Sequence, residues 1–154
     1  MKNVGEQVGK ITDGWGKFVE GFVEPSIPVL FKKLGIKITE TYQRAISHIN
    51  GRELEIDILA VGRRKSDRKK VVIVVQVQSN LGVRDVKKCI IDLENFHEFF
   101  SAYRNREVIG VVGGVRLTKG VKEYAERHGL YIIRPSGENM VILNKEGFKP
   151  KIWT

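Results

Sequence analysis

The chain has 154 residues, 42% of them hydrophobic and 29% charged, which is enough for one compact domain with a core and too few for a second. Charge is spread along the chain rather than gathered into a tail, which excludes disorder except at the ends. With 27 Lys and Arg against 18 Asp and Glu, the formal net charge is +9, a balance that favours a polyanionic partner through counterion release.

From Val4, apolar residues fall at Val4, Val8, Ile11, Trp15, Phe18 and Phe22, a spacing that keeps one stripe on a helix. Five glycines share the segment (Gly5, Gly9, Gly14, Gly16, Gly21), and each weakens a helix by about 1 kcal/mol relative to alanine. Such a helix needs a surface to lie on, either the domain's own sheet or a second subunit, so a homodimer through it is one expectation. Pro25 and Pro28 should interrupt the pattern, and a short stretch from Val29 to Leu34 should end at Gly35 as a helix C-cap.

A hairpin follows. Ile36 to Ile49 reads as a strand, Asn50-Gly51 as a two-residue turn, and Arg52 to Val61 as the returning strand. Alternation places Leu54, Ile56, Ile58 and Ala60 on one face and Glu53, Glu55 and Asp57 on the other. The loop from Gly62 to Lys70 (GRRKSDRKK) is the densest cationic stretch, and it reads either as a solvated connection or as a phosphate-contacting loop through Arg63, Arg64, Lys65, Arg68, Lys69 and Lys70.

Val71 to Val77 is apolar and β-branched almost throughout, as a central strand covered on both faces should be. Gln76 and Gln78 lie two apart and so point the same way. After Asn80-Leu81-Gly82, the residues Val86, Cys89, Ile90, Leu93, Phe96, Phe100 and Tyr103 repeat at helical spacing. Glu107 to Val115 is another buried strand, Thr118 can cap a helix running to His128, and Gly129 can end it. Leu130 to Ile133 and Met140 to Leu143 read as short strands around Ser136-Gly137. The result is a mixed α/β layout in the order α-β-β-β-α-β-α-β-β, with a helical segment at 1–35, a core at 36–145 and a tail at 146–154 of one domain.

Cys89, the lone cysteine, cannot close an internal disulfide and fits a packing role on its helix. Val71 to Val75 is too short to span a bilayer, and the N-terminus lacks the apolar block of a signal peptide, so a soluble cytoplasmic protein is expected. His48, His97 and His128 fall on separate elements, which argues against a histidine metal site. Gly110, Gly113 and Gly114 have the wrong spacing for a dinucleotide fingerprint.

A hairpin carrying an acid, a central strand with polar residues at alternate positions, a crossover helix and a further strand together resemble the PD-(D/E)xK nuclease superfamily. The stretches GKFVEGFVEPSIPVLFKKLGI, NGRELEIDILA, VVQVQS, DVKKCIIDLENF and GLYIIRPSG with the closing FKPKIW look like those of a small group within it. The resemblance implies a restriction-endonuclease-like fold, a DNA substrate and Mg²⁺. It matches Asp57 to the metal-binding aspartate, Gln76 to the second acid and Gln78 to the lysine, with Glu20 or Glu24 as the extra acid of some members.

The chain departs from that pattern at two of three positions. A glutamine at 76 offers one oxygen but no charge, while a glutamine at 78 cannot supply the cation, a loss of about 100- to 1,000-fold in rate for one charge-stabilising group. Arg84, Lys87 or Lys88 could take over the lysine's role, and Glu55 could act as a metal ligand beside Asp57 and Gln76. Three readings stand: a nuclease-fold DNA-binding protein with weak or lost cleavage, an active atypical nuclease, and a non-catalytic interaction protein on the same fold.

Overall fold

The computed structural model describes residues 14–154; the start of the apolar stripe, Val4, Val8 and Ile11, lies outside them. Trp15, Phe18 and Phe22 continue it as a ladder of stacked rings, with centroids 5.2 and 5.4 Å apart, packed against the core. A π-helical segment, Val19–Val23, leads directly into α1 (Glu24–Lys33). Here the expected interruption does not occur. Pro25 follows the π turn directly at the start of α1, and Pro28 lies inside the helix. The prolines reshape this helix without ending it. Gly35, with φ of +81°, closes it.

Six strands follow: β1 (Ile36–Ile49), β2 (Arg52–Arg64), β3 (Lys70–Leu81), β4 (Glu107–Leu117), β5 (Tyr131–Ser136) and β6 (Asn139–Ile142). They lie in one sheet in sequence order, antiparallel from β1 to β3, parallel from β3 to β5, and antiparallel again at β6. The crossover helix α2 (Val83–Phe99) joins β3 to β4, and α3 (Val121–Arg127) joins β4 to β5. The fold is thus mixed α/β, a six-stranded mixed sheet with helices on both faces. At Asn50-Gly51 both residues take positive φ, +49° and +76°, which matches the twist of the flanking strands.

One face of β3 packs with Val86, Cys89, Leu93 and Phe96 of α2, and the other with Val23, Ile27 and Phe31 of the N-terminal helix. Val71 through Val75 are accordingly all buried. Strand β2 does not hold a single alternation. Leu54 and Ile56 join the α2 side together with Leu59 and Val61, whereas Ile58 and Ala60 face α1. The pattern changes because β2 pairs with β3 only from Ile58 to Arg63, and its first half follows β1 alone.

Strand β1 is an edge strand with two irregularities: a register shift between Ile38 and Glu40, and a left-handed backbone at Arg44, φ +48°. Opposite the shift, Gly62 lies so close to β1 that a Cβ there would strike the Lys37 carbonyl. Replacing Gly62 by alanine should therefore destabilise the fold by about 1–3 kcal/mol, measured as a lower urea midpoint with an unchanged slope.

Candidate active site

The ladder between β2 and β3 ends at Ile58↔Val75, and beyond it two side chains take over the work of backbone groups. Asp57 Oδ2 accepts the Val77 N–H at 2.8 Å. The Asp57 N–H donates to Gln76 Oε1 at 2.9 Å, and Gln76 Nε2 donates to the Glu55 carbonyl at 3.0 Å. The Gln76 amide therefore meets β2 as a peptide group of β3 would, accepting one N–H and satisfying one C=O. Its second amide hydrogen reaches Asp92 Oδ2 at 3.1 Å.

Helix α2 supplies the other side of the site. Asp92 is 8% exposed and is the one buried charged residue among the described residues. Lys88, one turn earlier, lies 3.3 Å from Asp92 Oδ2 with its side chain 73% exposed. Asp92 stands three residues after Cys89 and four before Phe96, an acid inside the apolar stripe of the helix. That position was the available signal, and reading the stripe for its apolar members alone passes over it.

Glu55, Asp57, Gln76, Gln78, Lys88 and Asp92 surround a cavity of about 160 Å³. Asp85 also borders it, but its carboxylate accepts the Gly82 N–H at the start of α2. Glu55 turns toward Arg44, whose Nε lies 2.7 Å away, so the left-handed residue on β1 neutralises an acid at the rim. Burial pushes the Asp57 carboxyl above its ordinary range, opposed by the Val77 N–H. Burial likewise raises Asp92, opposed by Lys88 and Gln76. Cys89, beneath the cavity, is buried, and burial pushes its thiol well up, so it packs and does not react.

Of the residues singled out in the sequence, Asp57, Gln76, Gln78 and Glu55 come together here. Glu53 does not join them and lies beside His48. Glu20 is exposed on the helical segment that packs on the far face of the sheet, and Glu24 bonds Thr41 and Gln43. Lys88 borders the cavity, whereas Arg84 and Lys87 do not. The cationic turn after β2 is also remote, since Arg63 lies six residue steps along the strand from Asp57, roughly 20 Å at 3.3 Å per residue.

As bonded here, these residues offer Mg²⁺ carboxylates but no assembled all-protein ligand set. Among the described residues no three His, Cys, Asp or Glu side chains form a metal-binding group. Turning the Gln76 amide over would orphan the Glu55 carbonyl and set oxygen against Asp92, so in this arrangement Gln76 serves as a strand connector. Without a metal the cavity is hostile to phosphate: four carboxylates border it and Lys88 is its one cation.

No family model and no curated protein matches the chain. Among solved structures it is similar to a repair endonuclease from Pyrococcus abyssi, at 19% identity and a TM-score of 0.44 over 66% of this chain and 39% of that one. It is also similar to the protein of an EndoMS–dsDNA2 complex, at 19% identity and a TM-score of 0.42 over 66% and 37%, and to a protein of unknown function, at 18% and 0.44 over 73% and 58%. The chain spans about two fifths of the length of the first two. No helix among the described residues is long and apolar enough to cross a membrane.

The connector role of Gln76 has a direct test. Gln76→Glu removes the donor to Glu55 and Asp92 and should cost about 1–3 kcal/mol at neutral pH. Asp57 and Asp92 are both raised above the ordinary aspartate value, so each favours the folded chain below its unfolded value and withdraws that support as pH rises through the folded one. A third acid among them follows the same sign, and the penalty should shrink as pH falls toward about 4. Adding Asp92→Asn supplies a donor to the carboxylate that Gln76→Glu introduces and should recover part of the loss, read as a positive coupling in a double-mutant cycle of urea midpoints.

Proposed function

We propose that this chain is a restriction-endonuclease-like protein that binds DNA and whose metal-dependent phosphodiester cleavage is weak or lost. The observation that carries this reading is the bonding of Gln76. The position that the PD-(D/E)xK resemblance matches to a charged metal ligand is filled by an amide whose oxygen and both hydrogens hold β2, β3 and α2 together. Asp57 keeps its place in the pattern but commits one oxygen to the Val77 N–H. The lysine position holds Gln78, which stays at the rim and carries no charge. The strand order, with an acid-bearing hairpin ahead of a central strand and crossover helix, supports the fold assignment, and the net charge of +9 supports a polyanionic partner.

A second reading rests on Lys88. Because it shares the cavity with Asp57 and Asp92, an acid pair and a displaced cation are present, as an atypical nuclease would need. Its ion pair with Asp92 draws that charge away from an incoming phosphate, which favours the first reading.

Incubation of supercoiled plasmid with the purified protein and Mg²⁺ or Mn²⁺ separates the two. No nicking above background is expected, with Asp57→Asn and Lys88→Gln behaving as wild type. Metal-dependent nicking by wild type that either substitution lowers by about 100-fold or more would establish the active enzyme instead.

A further inference from the structure

The structure joins two cationic segments that lie far apart in the sequence. Lys37 pairs across the strands with Arg63, and Arg63 with Lys70. Directly paired residues share a face, so the three side chains form a row across β1, β2 and β3 at roughly 5 Å intervals. Gly62 makes the row possible, because its missing Cβ lets β1 approach where Lys37 meets Arg63. Just below, Lys65 donates its N–H to the Gly35 carbonyl at 2.8 Å, tying the β2–β3 turn to the end of α1. That tie shapes a groove on the α1 face, bordered by Pro28, Lys32, Lys37, Ile38 and Lys65, round the end of the sheet from the row, whose side chains alternate away from Ile36, Ile38 and Val71.

Acids at this end are already engaged. Arg64 holds Asp67 at 3.0 Å and Glu107 at 2.7 Å, and Lys69 lies 3.5 Å from Glu107. By contrast Lys32, Lys37, Arg63, Lys65, Arg68 and Lys70 make no ion pair among the described residues. The Asp67 carboxylate also accepts the Lys69 N–H, and Arg68 donates its N–H to the Arg64 carbonyl, so the turn is held in shape beside the row. Solubility needs scattered charge, not like charges facing one another across three strands, an arrangement that costs stability until an anion bridges it.

We propose that this end of the sheet, the Lys37–Arg63–Lys70 row with the Lys32–Lys65 groove, grips the sugar-phosphate backbone of duplex nucleic acid, roughly 20 Å from the acidic cavity. This rests on the reading of the chain as a DNA-binding protein and deepens it by separating the binding surface from the cavity. Charge complementarity selects the partner. A duplex carries a charge about every 1.7 Å of its axis, dense enough to bridge a row of this spacing, and a cavity with four carboxylates repels it.

The test is fluorescence anisotropy with a labelled blunt duplex over a salt series. Combining Lys37→Gln, Arg63→Gln and Lys70→Gln should weaken binding at least tenfold and lower the slope of log affinity against log salt by about 2 to 3. Because the row repels itself, the triple variant should melt at or above the wild-type thermal midpoint, which separates lost contacts from lost folding. A control with Lys119→Gln, Lys122→Gln and Arg127→Gln on and before α3 should bind as wild type. Wild-type binding retained by the row variant but lost by the control would overturn this placement and leave the DNA-binding reading intact. If wild type binds no duplex at low salt, both fail. If it binds vesicles of anionic lipid instead, and the row variant does not, the surface serves a membrane and the nucleic-acid proposal is overturned.

Discussion

One amide holds the architecture together at the seam where two strands part. Where β2 parts from β3, the sheet would leave the Asp57 N–H and the Glu55 carbonyl without partners in a half-buried place, each costing about 1–3 kcal/mol if left unsatisfied. Gln76 meets both and adds a bond to the buried Asp92 of the crossover helix. Three elements separated in sequence are thereby fixed at one point. A carboxylate there would lack the hydrogens that the Glu55 carbonyl needs, and it would repel Asp92. The residue type is therefore dictated by local hydrogen-bond pairing, whatever the chemistry of the cavity.

That requirement explains why the fold was easier to read than the site. Asn50-Gly51, the β-branched run of β3 and the helical stripe of α2 each depend on local sequence, and all appear where it puts them, except that α2 stops at Phe99 and Phe100 and Tyr103 of the stripe fall in its cap and a following 3-10 turn. Asp57, Gln76 and Gln78 are brought to one cavity because strand alternation is also local. Three features depend on tertiary geometry instead. The side switch within β2 follows from the end of a ladder that no pattern in β2 announces. Pro25 and Pro28 stay in a helical segment whose Val23, Ile27 and Phe31 are packed into the core, a tertiary contact. Asp92 joins the site because α2 crosses behind β3, a matter of helix placement rather than composition.

Charge divides along the strands. Acids gather where β2 splits from β3, and unpaired cations gather at the other end, where β2 turns into β3. The same two strands carry both, so the sheet acts as a rigid spacer between an anionic hollow and a cationic rim. Reading the turn after β2 by itself captures Arg63, Lys65, Arg68 and Lys70; Lys32 and Lys37 become their neighbours only when α1 and β1 fold back beside it.

The irregularities of β1 bear on a different hazard. An edge strand of 14 residues with Tyr42 and Ile46 exposed would ordinarily template pairing with a second chain. The register shift after Ile38 and the left-handed turn of Arg44 break its outer rim into short stretches, none offering an unbroken row of N–H and C=O groups. Arg44 thus neutralises Glu55 and, in the same conformation, interrupts the edge along which a second chain could pair.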